Sequence, residues 1–195
     1  AMNRTAEQDY TLMFWFRTEG EYGTLLANGR GLADDLGAEN QFYIGFDQGK
    51  LLYRSNGHSF DLGSGYCDGE WHHYTMTVNR SRAVANIYLD QILLASFSPD
   101  SLGGISGGQP AIGITHYTTQ EGSGSSDPLT GHVDELCFFS QALPPTLINT
   151  YSKKSPNGDE AGLLTYLSFD RQERQKDNEI ELVAYPYSKK ISLAA

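Results

Sequence analysis

The residues able to do chemistry are few here, and their spacing favours recognition over turnover. The nearest carboxylate pairs are Glu19 with Glu21 and Asp134 with Glu135. General acid/base work needs two such groups facing one cleft. The first pair lies at a turn, and the second, adjacent on a predicted strand, is expected to point to opposite faces. His72 and His73 are also neighbours on a predicted strand, so they point apart and cannot share one metal ion. Hydrogen-bonded structural roles are expected for both, and solvated surface positions for His58, His116 and His132. Gly-x-Ser-x-Gly occurs only as Gly104 to Gly108, inside a Gly/Ser/Pro loop and not as a strand-to-helix elbow, and the chain has no phosphate loop ending in Gly-Lys-Ser/Thr and no His-Glu-x-x-His. Cys67, in a Gly-rich loop, and Cys137, in an apolar run, suit either buried free thiols or a bridge, and their spacing does not decide between them. Two cysteines exclude a disulfide-rich scaffold and a four-thiolate zinc site.

The positioning elements follow from the hydrophobic pattern. Tyr10 to Arg17 is apolar on both faces and too short for a helix, which predicts a central strand. Thr24 to Ala27 is a second short apolar run, and 28–40 is a Gly- and Asp-rich loop. Phe42, Ile44 and Phe46 alternate with polar or small neighbours, and Gln48-Gly49 turns the chain into Lys50 to Arg54, giving a hairpin. After a polar stretch from Ser55 to Gly69, Trp71 to Asn79 alternates with one face buried, and Trp71 is expected to plug the end of the fold. Ala85 to Tyr88 and Ile92 to Ser96 form another hairpin. Ala111 to Tyr117 and Gly131 to Ser140 are strands separated by a Gly/Ser loop over Thr118 to Thr130. Pro144-Pro145 opens one short helix ending near Tyr151. Leu163 to Phe169 and Ile180 to Tyr185 complete the list of predicted strands.

Strands at this spacing, with turn residues between them and almost no helical period, define an all-β, two-sheet antiparallel jelly-roll sandwich. A length of 195 residues suits one such domain. The expected division is a sandwich over 1–153 and an extension over 154–195 that either adds to it or opens a following module. A net charge of −10 and the lack of any Lys/Arg cluster argue against nucleic acid and anionic membrane surfaces as partners. No run approaches the roughly 18 apolar residues of a spanning helix, so no membrane insertion is expected of this stretch. The opening Ala1-Met2-Asn3 leaves secretion open.

Three segments in order, YTLMFWFR from Tyr10 to Arg17, EWHHYTMTVNRSRAVANIYLDQILLAS from Glu70 to Ser96, and LTGHVDELCFFSQAL from Leu129 to Leu143, resemble the laminin G-like family of concanavalin A-like domains. The resemblance spans residues 10 to 151. The chain departs from the family at Asp90-Gln91, where Asp-Gly is usual and Gly takes φ > 0 without strain. The family's opening strand pattern, G-L-x-x-Y-x-F-D, has no match upstream of Tyr10 but resembles Gly162 to Asp170. That segment either folds back onto this sandwich, the favoured reading because a lone apolar strand would aggregate, or begins a following repeat.

The resemblance implies a non-catalytic binding module of a larger secreted or cell-surface protein, recognising a glycan or glycoprotein. A structural spacer or protein-interaction domain is the alternative. Catalytic relatives carry E-x-D-x-x-E on one strand, and this sequence does not. Relatives also often hold a calcium ion at the rim. The implied ligands are Asp34, Asp35 and Glu39 before the Phe42 strand, with Asp127 as partner, against the alternative of a merely solvated acidic loop. Asp134 is expected to tie down backbone N–H groups. Sugar stacking would use exposed aromatic rings. Tyr22, Tyr43, Tyr53, Tyr88 and Tyr117 are candidates, none singled out. The isolated domain is expected to be monomeric.

Overall fold

The computed structural model describes residue 5 and residues 7–28, 42–102, 105, 110–119 and 122–170. These residues form thirteen strands: β1 (Tyr10–Thr18), β2 (Gly23–Asn28), β3 (Phe42–Asp47), β4 (Lys50–Ser55), β5 (His58–Ser64), β6 (His72–Asn79), β7 (Val84–Leu89), β8 (Ile92–Phe97), β9 (Pro110–Ile112), β10 (Thr115–Thr119), β11 (Gly122–Ser126), β12 (Gly131–Phe139) and β13 (Leu163–Leu167). They make a six-stranded sheet in the order β13-β12-β1-β6-β7-β8, a five-stranded sheet in the order β5-β4-β3-β2-β9, and the β10-β11 ribbon. The architecture is the two-sheet antiparallel sandwich that the strand pattern predicts.

The core lies between the two sheets. Tyr10, Leu12, Phe14 and Phe16 of β1 meet Phe42, Ile44, Phe46 and Tyr53 of the opposite sheet. Rings close the gaps: Phe14 stacks on Tyr74 at 5.1 Å and Phe16 meets Phe46 edge-on at 5.7 Å. Each large aromatic removes on the order of 150–250 Å² from water, which makes β1 the centre of the fold. Its remaining side chains form the other, outer face. There Met13, Cys137 and Phe139 are roofed by Leu143 and by Ile148 of α1 (Pro145–Tyr151), the helix announced by Pro144-Pro145. Thr11 fastens this roof, its hydroxyl donating to the Gln141 carbonyl (2.8 Å) and accepting from the Leu143 N–H (2.8 Å).

Some expectations are corrected and some open readings are decided. The polar stretch 55–69 contains β5, because Asn56 (φ 49) and Gly57 (φ 76) form a tight turn and Phe60 stacks on Tyr53 and Phe97. The Gly/Ser stretch 118–130 contains β11, paired with β10. Tyr66, not Trp71, packs against the core at this rim, 5.5 Å from His72, while Trp71 stands half-buried beside His132. Cys67 packs toward the inner core and Cys137 lies in the outer cluster, so both are free thiols. At the far end of the chain, β13 pairs antiparallel with β12. The predicted Ile180 to Tyr185 strand lies outside the described residues. Among the described residues no helix is long and apolar enough to cross a membrane.

Candidate functional site

One end of the sandwich concentrates the polar side chains. The 19–22 turn after β1 is its hub: Thr18 donates its hydroxyl to the Thr130 carbonyl (2.8 Å) and accepts from the Gly20 N–H (2.9 Å). The Gly49 N–H donates to the Glu21 carbonyl and the Gly69 N–H to the Thr18 carbonyl. Gly23 has φ 137, and a Cβ there would sit 2.8 Å from the Leu129 Cα, so only glycine lets the 127–130 connection lie this close. Tyr22, 56% exposed, tips the hub.

Next to the hub, His72 is held at both ring nitrogens, Nδ1 by Asp90 (2.8 Å) and Nε2 by Asp68 (3.1 Å). Burial disfavours its charge, but the two carboxylates outweigh burial and raise its pKa. With a carboxylate at each ring nitrogen, neither nitrogen is left open to a metal ion or a substrate. Asp90 serves two partners, its other oxygen accepting from the His73 N–H (2.8 Å). It sits in a tight turn with Gln91, both at positive φ (50 and 70). The departure from Asp-Gly therefore leaves the turn geometry intact and places backbone strain on Gln91.

His73 points the other way, as alternation requires. It is 2% exposed beneath Trp15, with ring centroids 5.0 Å apart, and Thr75 Oγ1 lies 3.3 Å from its Nδ1. Burial lowers its pKa to about 4, so it is neutral near pH 7.

The carboxylate pair on β12 departs from expectation. Glu135 has φ 51 and makes a β-bulge against β1, so Val133 and Leu136 both face the core and the two acids between them both stand on the outer side. Adjacent acids on a regular strand would alternate; the extra residue of the bulge cancels that. Asp134, 3% exposed, accepts from the Glu135 N–H (2.9 Å), in line with a backbone-fastening role. Glu135 accepts from the Tyr166 hydroxyl (2.7 Å), and burial together with this bond raises the tyrosine's pKa. Glu19 and Glu21 remain on the exposed hub turn.

Of the predicted calcium ligands, Asp34, Asp35 and Glu39 lie outside the described residues. Asp127, half-buried at φ 53, gives its carbonyl to the Thr24 N–H (2.9 Å) and its carboxylate to the Thr115 hydroxyl (3.4 Å). Among the described residues, no group of three or more His, Cys, Asp or Glu could hold a metal ion. Of the tyrosine candidates, Tyr43 and Tyr53 are buried, which removes them as stacking surfaces. Tyr88 is half-buried against the outer cluster, and the Tyr117 side chain lies outside the described part. Neither thiol is poised as a nucleophile: burial and nearby acids push Cys67 up to about 11 and Cys137 higher.

Sequence reasoning passed over both tryptophans as surface features. Trp15 and Trp71 are half-exposed on the outer face, Trp71 with its ring 6.0 Å from that of His132. Alternation around the buried Phe14 and Phe16 would have placed Trp15 there.

Residues 1–149 match the laminin G-like family model described as the concanavalin A-like lectin/glucanases superfamily. No curated protein sequence matches the chain. Among solved structures, a Bacteroides ovatus protein provisionally assigned as carbohydrate binding is 17% identical with a TM-score of 0.64, over 88% of this chain and 48% of that one. The heptameric SAP-like pentraxin of Limulus polyphemus is 14% identical with a TM-score of 0.54, over 86% and 82%. The receptor binding domain of botulinum neurotoxin D is 14% identical with a TM-score of 0.51, over 75% and 37%. At such identities the likeness is one of fold. The chain spans about half the length of the first of these structures.

Proposed function

We propose, from the premise that the chain belongs to the concanavalin A-like lectin/glucanase superfamily, that it is a non-catalytic carbohydrate- or glycoprotein-binding module of a larger secreted or cell-surface protein. The observation that carries this reading is that both tryptophans stand half-buried on a sheet face and outside the core clusters, where their rings are not packed between the sheets. Four of the described acids are engaged in fastening the fold, which supports the non-catalytic part: Asp68 and Asp90 hold His72, Glu135 holds Tyr166, and Glu160 accepts the Asn157 and Gly158 N–H groups. The binding unit is residues 1–153, and 154–195 is its extension.

Calcium belongs to the same proposal. Asp34, Asp35, Glu39 and Asp127 carry carboxylate oxygens, the donor type that suits this ion, and these residues would hold it. Bound there, calcium would supply open coordination for ligand hydroxyls. A glycan array probed with and without calcium tests the reading, alongside an assay for released reducing ends. Selective glycan signal without turnover is expected. Silence on the array would favour a spacer or protein-interaction domain, and turnover would overturn the non-catalytic role.

A further inference from the structure

We propose that the half of the outer face of the six-stranded sheet that no described element covers is a sugar-stacking platform. On it, Trp71 and Trp15 receive the apolar face of a neutral hexopyranose, while Arg17 and His132 hydrogen-bond its hydroxyls. This rests on the binding reading above and adds to it the surface and the ligand class.

Strand register builds the platform. Trp15 pairs with Asp134 of β12 on one side and His73 of β6 on the other. Two residues along the same face, Arg17 pairs with His132, and the Phe16–His72 pairing sets Trp71 beside Arg17. The six residues thus form two rows of three, covering roughly 10 Å across the strands by 7 Å along them, about the footprint of one or two sugar rings. The two tiers differ. His73 and Asp134 are buried and make a floor under Trp15, whereas Arg17 is exposed and Trp15, Trp71 and His132 are half-exposed.

The ligand class follows from the chemistry on display. An indole presents a flat apolar surface with a polar edge, and a pyranose presents a flat C–H face ringed by hydroxyls. Arg17 only donates hydrogen bonds, carboxylates such as Glu135 only accept them, and His132 does either. Hydroxyl groups, which donate and accept, complement such a mixed set. A carboxylated sugar would meet Asp134 and Glu135 on the same face, in a chain of net charge −10. Arg17 is a single guanidinium against these two carboxylates, and the neutral His73 floor adds no further positive charge.

The protein carries an internal reporter, because its only two tryptophans are both on this platform. The experiment is a tryptophan-emission titration with neutral gluco-, manno- and galacto-oligosaccharides, with a uronate oligomer as the charged arm. It is repeated on Trp71→Ala and Arg17→Ala, with a thermal midpoint for each protein. A saturable emission change with a neutral oligosaccharide is expected. Trp71→Ala should weaken binding roughly tenfold or more and Arg17→Ala several-fold, with midpoints within about 2 °C of wild type. Glycan binding on the array with unchanged emission and unchanged affinity in both variants would place the ligand elsewhere and overturn the platform while sparing the binding reading. Preference for the uronate oligomer would overturn the ligand class, and silence of the wild type toward every glycan would overturn both.

Discussion

The outer face of the six-stranded sheet changes character halfway along β1. Toward Tyr10 it shows Thr11 and Met13, flanked by Cys137 and Phe139 and roofed by α1. Toward Thr18 it shows Trp15 and Arg17, flanked by His132 and Trp71, with no helix over them among the described residues. Both halves are aromatic, so hydrophobicity alone does not separate them. What separates them is polarity at the ring edges and the Glu135 bulge, which ends regular pairing with β1 between the two halves. Burial in one half holds the helix on the sheet. In the other, two buried polar side chains support rings that remain accessible.

This contrast makes stability and binding separable. The largest effect belongs to the covered half: Phe139→Ala, removing a fully buried ring, should cost about 3–5 kcal/mol in denaturant unfolding and leave glycan affinity of the folded protein unchanged. A loss of affinity without a loss of stability would erase the contrast.

A pH effect comes next, from beneath the open half. His73 titrates near 4 when folded and near 6.5 when unfolded, so below 6.5 the unfolded chain takes up the proton first. Stability should fall as pH drops from 6.5 to 4, by on the order of 3 kcal/mol from this group. His72 works in the opposite sense: its folded pKa is raised, so its contribution is complete below 6.5 and is lost as pH rises through the folded value. Urea midpoints across pH 4–9 should show the acid-side decline shallower in His73→Gln and the alkaline-side decline shallower in His72→Gln.

Asp90→Ala removes the acceptor for both the His72 ring and the His73 N–H and should cost about 1–3 kcal/mol. It should also lower the His72 pKa, read by NMR titration. An unmoved pKa would mean that Asp68 alone sets it. The smallest effect is a gain: Gln91→Gly relieves a positive φ and should stabilise the turn by up to about 1 kcal/mol.

Much of this was legible in the sequence because buried strands advertise themselves. The runs at Tyr10, Phe42 and Val133 located central strands, and Pro144-Pro145 located the helix. The misses share a cause, a local signal overridden by pairing partners. His58 to Ser64 is polar enough to pass for loop, yet Phe60 and Leu62 find apolar partners. Glu135 carries no mark of a bulge, because glycine is the usual sign of positive φ and is absent there. Tyr43 and Tyr53 sit on strands where sequence alone does not settle how far each ring is buried.

The most direct test measures unfolding midpoint and glycan affinity together on Trp71→Ala and Tyr151→Ala. Tyr151 stacks on Phe139 at 5.3 Å in the covered half. A crossed pattern is predicted, with affinity lost and midpoint kept for Trp71→Ala, and midpoint lowered and affinity kept for Tyr151→Ala. The reverse pattern, or both properties moving together in both variants, would contradict a face divided between holding and recognition.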